Sequence, residues 1–288
     1  SLIESTATKT MTTPAMPIMA TADELARWRE MLARIPPYAL GADGGVREWM
    51  HPAFAENDQH RHQSHIYPVF PGMEVTRETD ARLFAAFEVA LRKRLAIGIT
   101  AQTGWSLAHM ASVYARLGDG DRALECLDLM SRACLMNNFF TTHNDWRRMG
   151  IGVDMHQAPF QIDANMGWTA AIQEMLLVSQ PGRITALPAL PARWRRGAVT
   201  GLVARGGVRV SIAWDQDTRA LDIELCSPGK AQTVELNRPW GEPRRLKVAL
   251  DADRVVHVAF ASQAAAERPA RRSEPIARLG GAAGSEAT

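Results

Sequence analysis

The apolar pattern of this chain changes period near Gly182, and that change restricts the fold to a helical layer followed by a run of strands. Before it, apolar residues recur at helical spacing. Thr21-Ala-Asp-Glu24 forms a capping box, after which Leu25, Trp28, Leu32 and Ile35 mark one helix face up to the Pro36-Pro37 stop. Residues 80–95 place Leu83, Phe84, Phe87 and Leu91 on one face. A helix over about 106–117 ends at Gly118, and another runs from Asp121 to about Leu135. Paired helices joined by short glycine-containing links suggest an array of α-hairpins, as in a helical bundle or an α/α barrel.

Beyond Gly182 the period is two. Val208, Val210, Ile212 and Trp214 alternate with polar or small residues, as do Leu221, Ile223 and Leu225, and then Val256, Val258 and Phe260. This predicts antiparallel strands with one solvated face, turning at residues 215–218 and 227–229. The helix that follows Asp163 is expected to reach Ser179 or Gln180, because Pro181 pushes its predecessor out of the α region. The division expected is a tail or ragged start over 1–18, a helical region over 19–182, a β region over 183–262 and a disordered tail over 263–288.

The charge balance narrows the partners. With 33 basic and 31 acidic side chains the net charge is +2, which gives no reason to expect nucleic acid. No run reaches the ~18 uninterrupted apolar residues of a membrane span, and the N-terminus lacks a basic region followed by an apolar one, so neither a membrane nor a secretory signal is expected. Cys126, Cys134 and Cys226 form no CxxC pair and read as small buried hydrophobes. No Gly-rich phosphate loop, dinucleotide fingerprint or Ser-His-Asp signature occurs, and no cofactor is expected.

Two stretches carry the chemistry. The first is residues 155–167, where Asp163 stands among Phe160, Ile162 and Met166 and Asn165 is placed to cap the next helix. A carboxylate in an apolar frame is either a structural tie or a working group. The second is His60-Arg61-His62 with His65. Three histidines could ligate zinc, although the intervening Arg61 and the lack of a nearby cysteine or motif-bearing carboxylate weigh against it. Otherwise these side chains make structural hydrogen bonds, or bind an oxygen-rich ligand through the planar donor fork of Arg and the donor or acceptor nitrogens of His. Trp49, Trp105, Trp146 and Trp168 are either core or faces on which a sugar ring lies. Glu48 and Glu56, in the loop before the His cluster, are either acids that act in catalysis or, as unpaired carboxylates more often are, surface or capping groups.

An ordered series of motifs sharpens this reading. Asp43-Gly-Gly-Val-Arg-Glu-Trp49, His60-Arg-His-Gln-Ser-His65 with Pro71-Gly72, Thr103-Gly-Trp-Ser-Leu-Ala108 and Pro159-Phe-Gln-Ile-Asp163 occur in that order. Glu174-Met-Leu-Leu177, Leu187-Pro-Ala-Leu-Pro191 and Gly201-Leu-Val-Ala-Arg-Gly-Gly207 follow. From about residue 21 to about 235 the chain resembles the C-terminal part of the α-L-fucosidases of glycoside hydrolase family 95. That resemblance implies part of an α/α (six-hairpin) barrel followed by a small antiparallel, sandwich-like β domain, with carbohydrate as the partner. It also implies inverting hydrolysis, in which an acid protonates the leaving oxygen while a separate group activates water.

Carried over by position, Asp163 resembles the aspartate that supports water activation, and Arg61, His62 and His156 resemble sugar contacts. His156 stands in His156-Gln-Ala-Pro-Phe160, one residue longer than the family's His-Pro-Pro-Phe, and Ala164-Asn-Met-Gly167 replaces Gly-Asn-Phe-Gly. The family's Asn-x-Asn and Ser-Pro-Glu-Asn elements do not occur in this sequence. The expectation is a fragment holding part of a fucosidase site, weak or inactive alone. The alternative is a non-catalytic carbohydrate-binding or structural module.

Overall fold

The computed structural model describes residues 20–95 and 98–260 together with a short pairing of Thr10–Met11 (β1) and Thr13–Pro14 (β2). The disordered tail expected over 263–288, and most of the start expected over 1–18, lie outside the described residues. Five α-helices follow the predicted segments: Ala22–Ala33 (α1), Ala81–Leu95 (α2), Gly104–Leu117 (α3), Gly120–Ala133 (α4) and Ile162–Leu176 (α5). Their limits follow local chemistry. Thr21 and Glu24 make the reciprocal capping box of α1, Thr103 and Ser106 that of α3, and Asp119 caps α4. Gly118 ends α3 at φ 81°, a left-handed position that favours glycine, and with Asp119 it turns the chain into α4.

Eight strands form two four-stranded sheets. Arg196–Val203 (β5), Arg209–Asp215 (β6), Ala220–Cys226 (β7) and Val255–Phe260 (β10) are antiparallel in the order β10-β7-β6-β5. Leu177–Gln180 (β3), Arg183–Ala186 (β4), Gln232–Asn237 (β8) and Arg245–Leu250 (β9) lie in the order β3-β4-β8-β9. The inward residues of both sheets, among them Ile212, Ile223, Leu225, Ile184, Leu236 and Leu250, share one core. The chain is therefore α+β, with mixed helices and largely antiparallel sheets. The β4–β8 pair is parallel, a departure from the antiparallel expectation that the period-two pattern cannot reveal.

Two expectations are corrected. The last helix ends at Leu176, short of Ser179, because Leu177–Gln180 pairs with Arg183–Ala186 across the Pro181-Gly182 turn. Gly182 has φ 76°, so Pro181 and Gly182 close a hairpin instead of merely stopping a helix. Asn165 does not cap α5. Gln161 holds the N-cap position, and the Asn165 side chain lies one turn inside the helix, where it accepts from the Thr141 backbone N–H at 3.0 Å and donates to the Phe139 carbonyl at 2.7 Å.

The helices share a core built from α2, α3, α4 and the C-terminal half of α5, including Phe84, Phe87, Leu91, Val113, Leu127 and Met175. By contrast, α1 buries nothing, and Met31, Leu32 and Ile35 are exposed. One charged side chain ties the segment before α2 to this core. Arg94 is 2% exposed, donates to the His60 carbonyl at 2.9 Å and pairs with the Glu48 carboxylate, which also accepts from Ser64. Glu56 in turn accepts from the Glu48 backbone N–H and from Arg47. These acids are structural ties.

Removing one member of a buried ion pair leaves an uncompensated charge. Arg94→Met is expected to lower the free energy of unfolding in urea by about 3–5 kcal/mol. A loss below about 1 kcal/mol, the range of an exposed pair, would contradict the buried-tie reading.

Candidate functional site

The helices α3 and α5 run parallel and bring their N-terminal ends together. A Cβ at Gly104 would lie 2.6 Å from the Thr142 carbonyl and 3.1 Å from Ala164, and one at Gly167 would lie 2.9 Å from Ala108 and 3.1 Å from Trp105. Farther along, Arg116 of α3 pairs with Glu174 of α5 and donates to the Gly72 carbonyl at 3.1 Å. Close approach at the first pair of contacts requires the missing side chains. It places the Trp105 ring over Gly167, one turn from Asp163 on the same face of α5.

Backbone hydrogen bonds fix the segments around these helix ends. Gln161 accepts from the Trp105 N–H at 2.9 Å, Gly104 N–H donates to the His143 carbonyl at 2.9 Å, and His143 N–H donates to the Pro159 carbonyl at 2.8 Å. Thr141 donates its hydroxyl to the Gln161 carbonyl at 2.6 Å. The segment carrying His143 is thus laced to the entrance of α5. From the other side comes the 60–66 segment held by Arg94, with His60 and His62 rings 5.1 Å apart.

On α3 the residues other than Trp105, His109, Arg116 and Leu117 are buried, so Trp105 and His109 form a half-buried stripe one turn apart. Their rings lie 5.8 Å apart, and His109 is 5.7 Å from Phe70. Burial pushes the His109 imidazole down to about 4, against a hydrogen bond with the Phe70 backbone that favours the proton; His62 adds a smaller downward push. Loss of hydration and then the Arg61, His60 and His143 charges hold His62 below the usual imidazole range. Both rings are therefore neutral at pH 7, each with one donor and one acceptor nitrogen.

The polar groups here are under-used by the protein. Among the described residues, five of the eight buried side-chain polar atoms without a partner are Arg61 Nε, Gln63 Oε1, His65 Nδ1, His143 Nδ1 and Asn144 Oδ1, all on the two segments that flank the helix ends. Buried polar atoms are ordinarily satisfied, so their concentration marks a place suited to a ligand rich in hydroxyls.

Of the residues singled out from the sequence, Arg61 and His62 adjoin the neighbourhood of His109 and His143, whose charges reach His62, and Asp163 lies in the first turn of α5. The apolar frame expected around Asp163 is not an enclosure. The carboxylate is exposed, as are Phe160, Ile162 and Met166, because the segment runs along the surface at the helix end. Among the described residues its side chain accepts only from the Ala164 N–H, at 3.1 Å. His156 is exposed on the loop before Phe160, and none of these contacts draws it to Arg61. His65 is half-buried near Arg94, and among the described residues no group of three or more His, Cys, Asp or Glu is arranged to hold a metal ion.

The other three tryptophans do different work. Trp146 donates to the Leu135 carbonyl, Trp168 packs into the core, and Trp49 meets Phe54 edge-on. Sequence reasoning missed His143, whose only sign was the polar run 141–145. A cavity of about 240 Å³ lies elsewhere, between residues 69–79 and the β3-β4-β8 edge. It is lined by none of Arg61, His62, His156 or Asp163, so its position does not bear on the chemistry of those residues.

An unfolded histidine takes up its proton near 6.5, whereas folded His109 does so only near 4. Between those values the unfolded chain binds more protons, and stability falls as pH drops through the window. Melting temperatures from pH 7 to 4.5 are expected to decline, and His109→Phe to reduce proton uptake on unfolding by about one. Unchanged uptake in the variant would contradict the assignment.

Residues 1–176 match the model of the glycosyl hydrolase family 95 catalytic domain, and residues 178–266 match the family 95 C-terminal domain. Among curated proteins, Alpha-L-fucosidase 2 of Arabidopsis thaliana is 38% identical over 194 residues, 63% of this chain and 21% of that protein. A "Probable alpha-fucosidase A" of Aspergillus oryzae is 28% identical over 195 residues, covering 62% of this chain and 26% of its own length. Its namesake from Aspergillus niger is 30% identical over 195 residues, with 62% and 23% covered. The chain thus matches about a fifth to a quarter of the length of these relatives.

Proposed function

The chain belongs to glycoside hydrolase family 95, and from that premise we propose that it carries part of the site of an inverting α-L-fucosidase acting on terminal fucose of glycans. The observation that supports this most is the concentration of unpartnered polar atoms, with neutral His62, beside the paired ends of α3 and α5. Sugar hydroxyls both donate and accept, which suits a guanidinium, a neutral imidazole and an indole face.

Within this reading Arg61, His62 and His156 bind the sugar. Asp163 takes part in activating the water that attacks the anomeric carbon, while a separate acid delivers a proton to the departing oxygen. The helical region read over 19–182 serves as part of an α/α barrel, with the parallel pair α3 and α5 on its inner layer. The β region read over 183–262 packs as a separate domain to which Leu177–Gln180 adds a strand.

A second reading is a non-catalytic carbohydrate-binding module. Asp163 favours it in one respect, since among the described residues its one hydrogen bond is to the adjacent Ala164 N–H, which leaves it able to accept from a sugar hydroxyl without chemistry. Titration with L-fucose and D-galactose separates the two, because saturable binding without hydrolysis under any condition favours the module. The 288-residue chain alone is expected to release fucose weakly or not at all. In a preparation that does release fucose, Asp163→Asn is expected to lower kcat by about a hundredfold or more while fucose affinity changes little. Equal losses in both would assign Asp163 to holding the loop.

A further inference from the structure

The cavity of about 240 Å³ lies where the helical region meets the β region, and neither Arg61 nor His62 lines it. It is smaller than the ~300 Å³ at which pockets for drug-sized ligands begin, so it has room for one small molecule. Its floor is apolar, with Val75 and Phe84 buried and Val178 beside them. Three guanidinium groups line it, and they are not equivalent. Arg116 is held by Glu174 and the Gly72 carbonyl, while Arg183 lies between Glu78 at 2.6 Å and Glu235 at 3.0 Å. Glu78 is shared in turn with Arg245, so its charge is met twice. Arg77 differs from the others. Its guanidinium lies 4.8 Å from the centre of the Phe84 ring, and among the described residues it pairs with no carboxylate. Stacking on an aromatic face orients the planar fork and leaves its N–H edge unspent.

The β side of the cavity is polar and incompletely bonded. Asn237 of β8 donates to the Thr185 hydroxyl at 3.2 Å, but its Oδ1 is buried with no partner. Such an orphaned oxygen is uncommon, and a hydroxyl brought in by a ligand supplies the missing donor. A carboxylate matches the fork of Arg77 in the same way. We propose that this cavity binds a sugar acid, a single uronate unit, with its carboxylate on Arg77, its hydroxyls on Asn237 and Thr185, and a C–H face against Val75 and Val178. A neutral sugar leaves Arg77 unpaired, and a simple carboxylate leaves Asn237 unpaired. The inference rests on this cavity alone and stands whether or not the chain acts on fucose. It gives the chain a contact selective for acidic glycans.

Met73 also lines the cavity and reports on its occupancy. The chain with ¹³C-labelled methionine methyls, the Met73 signal identified through Met73→Leu, is titrated with D-glucuronate, D-glucuronamide, D-glucose and acetate. Glucuronate should shift the Met73 methyl saturably, and each of the other three should bind at least about tenfold more weakly. Glucuronamide isolates the charge, because it keeps the ring and its hydroxyls and lacks only the anion. Arg77→Gln, at an exposed position, should weaken glucuronate about tenfold and leave glucuronamide unchanged, with melting as the folding control. An unmoved Met73 methyl, glucuronamide or glucose as tight as glucuronate, or an Arg77→Gln chain that binds like wild type overturns the proposal. Acetate as tight as glucuronate overturns it too, since the hydroxyls then contribute nothing. Should Arg77→Gln not fold, the comparison of glucuronate with glucuronamide on the wild type decides alone.

Discussion

The buried guanidinium of Arg94 is the interaction on which the placement of the site depends. Residues 34–80 contain no α-helix, and a segment of that length has no ladder of its own to hold it in place. Arg94 supplies the anchor, with the Glu48 carboxylate and the His60 carbonyl on the same fork, while Glu56 fastens the Glu48 backbone. The result is that Arg61 and His62 follow directly on a fixed point at the end of α2. A buried ion pair of this kind brings little net stability relative to an apolar core, and its value lies in register. It determines which residues of the 60–66 segment face α3.

The second constraint is the spacing of α3 and α5. Gly104, Ala108, Ala164 and Gly167 remove the side chains that would keep the helices apart, and the space is taken by the Trp105 indole. Parallel helices then bring both N-terminal ends to one place, where the positive ends of two dipoles favour acceptors and carboxylates. Asp163 stands in the first turn of one helix and Trp105 in the first turn of the other. The polar ties from Gln161, Thr141 and Asn165 spend their hydrogen bonds on joining residues 139–143 to this end, leaving the His143 and Asn144 side chains unpaired.

Much of the architecture was legible because it is written in local chemistry. Thr21 with Glu24, and Gly118, announce helix ends, and the alternation around Val210, Ile212 and Trp214 announces a half-buried strand. What was not legible depends on distant partners. Glu48 looked like a surface acid because its cation is 46 residues away. Asn165 looked like a cap because Thr141 and Phe139 approach it only in the fold, and Leu177–Gln180 continued an apolar run without any sign that a strand partner waited beyond Pro181. For the site, the motif around Arg61 and His62 was readable, whereas the neutrality of His109 arises from packing against Phe70 and Trp105. The amphipathic pattern of α1 was read correctly as a helix, but it does not name what its exposed apolar face meets.

The central claim is that the Arg94-anchored segment and the paired ends of α3 and α5 make one sugar site. A crystal structure of the chain soaked with L-fucose addresses it most directly. The account predicts a pyranose hydrogen-bonded to Arg61 and His62, lying against Trp105, with its anomeric carbon on the side of Asp163. A sugar bound only in the cavity between residues 69–79 and the β3-β4-β8 edge, with Arg61 and His62 untouched, would contradict it.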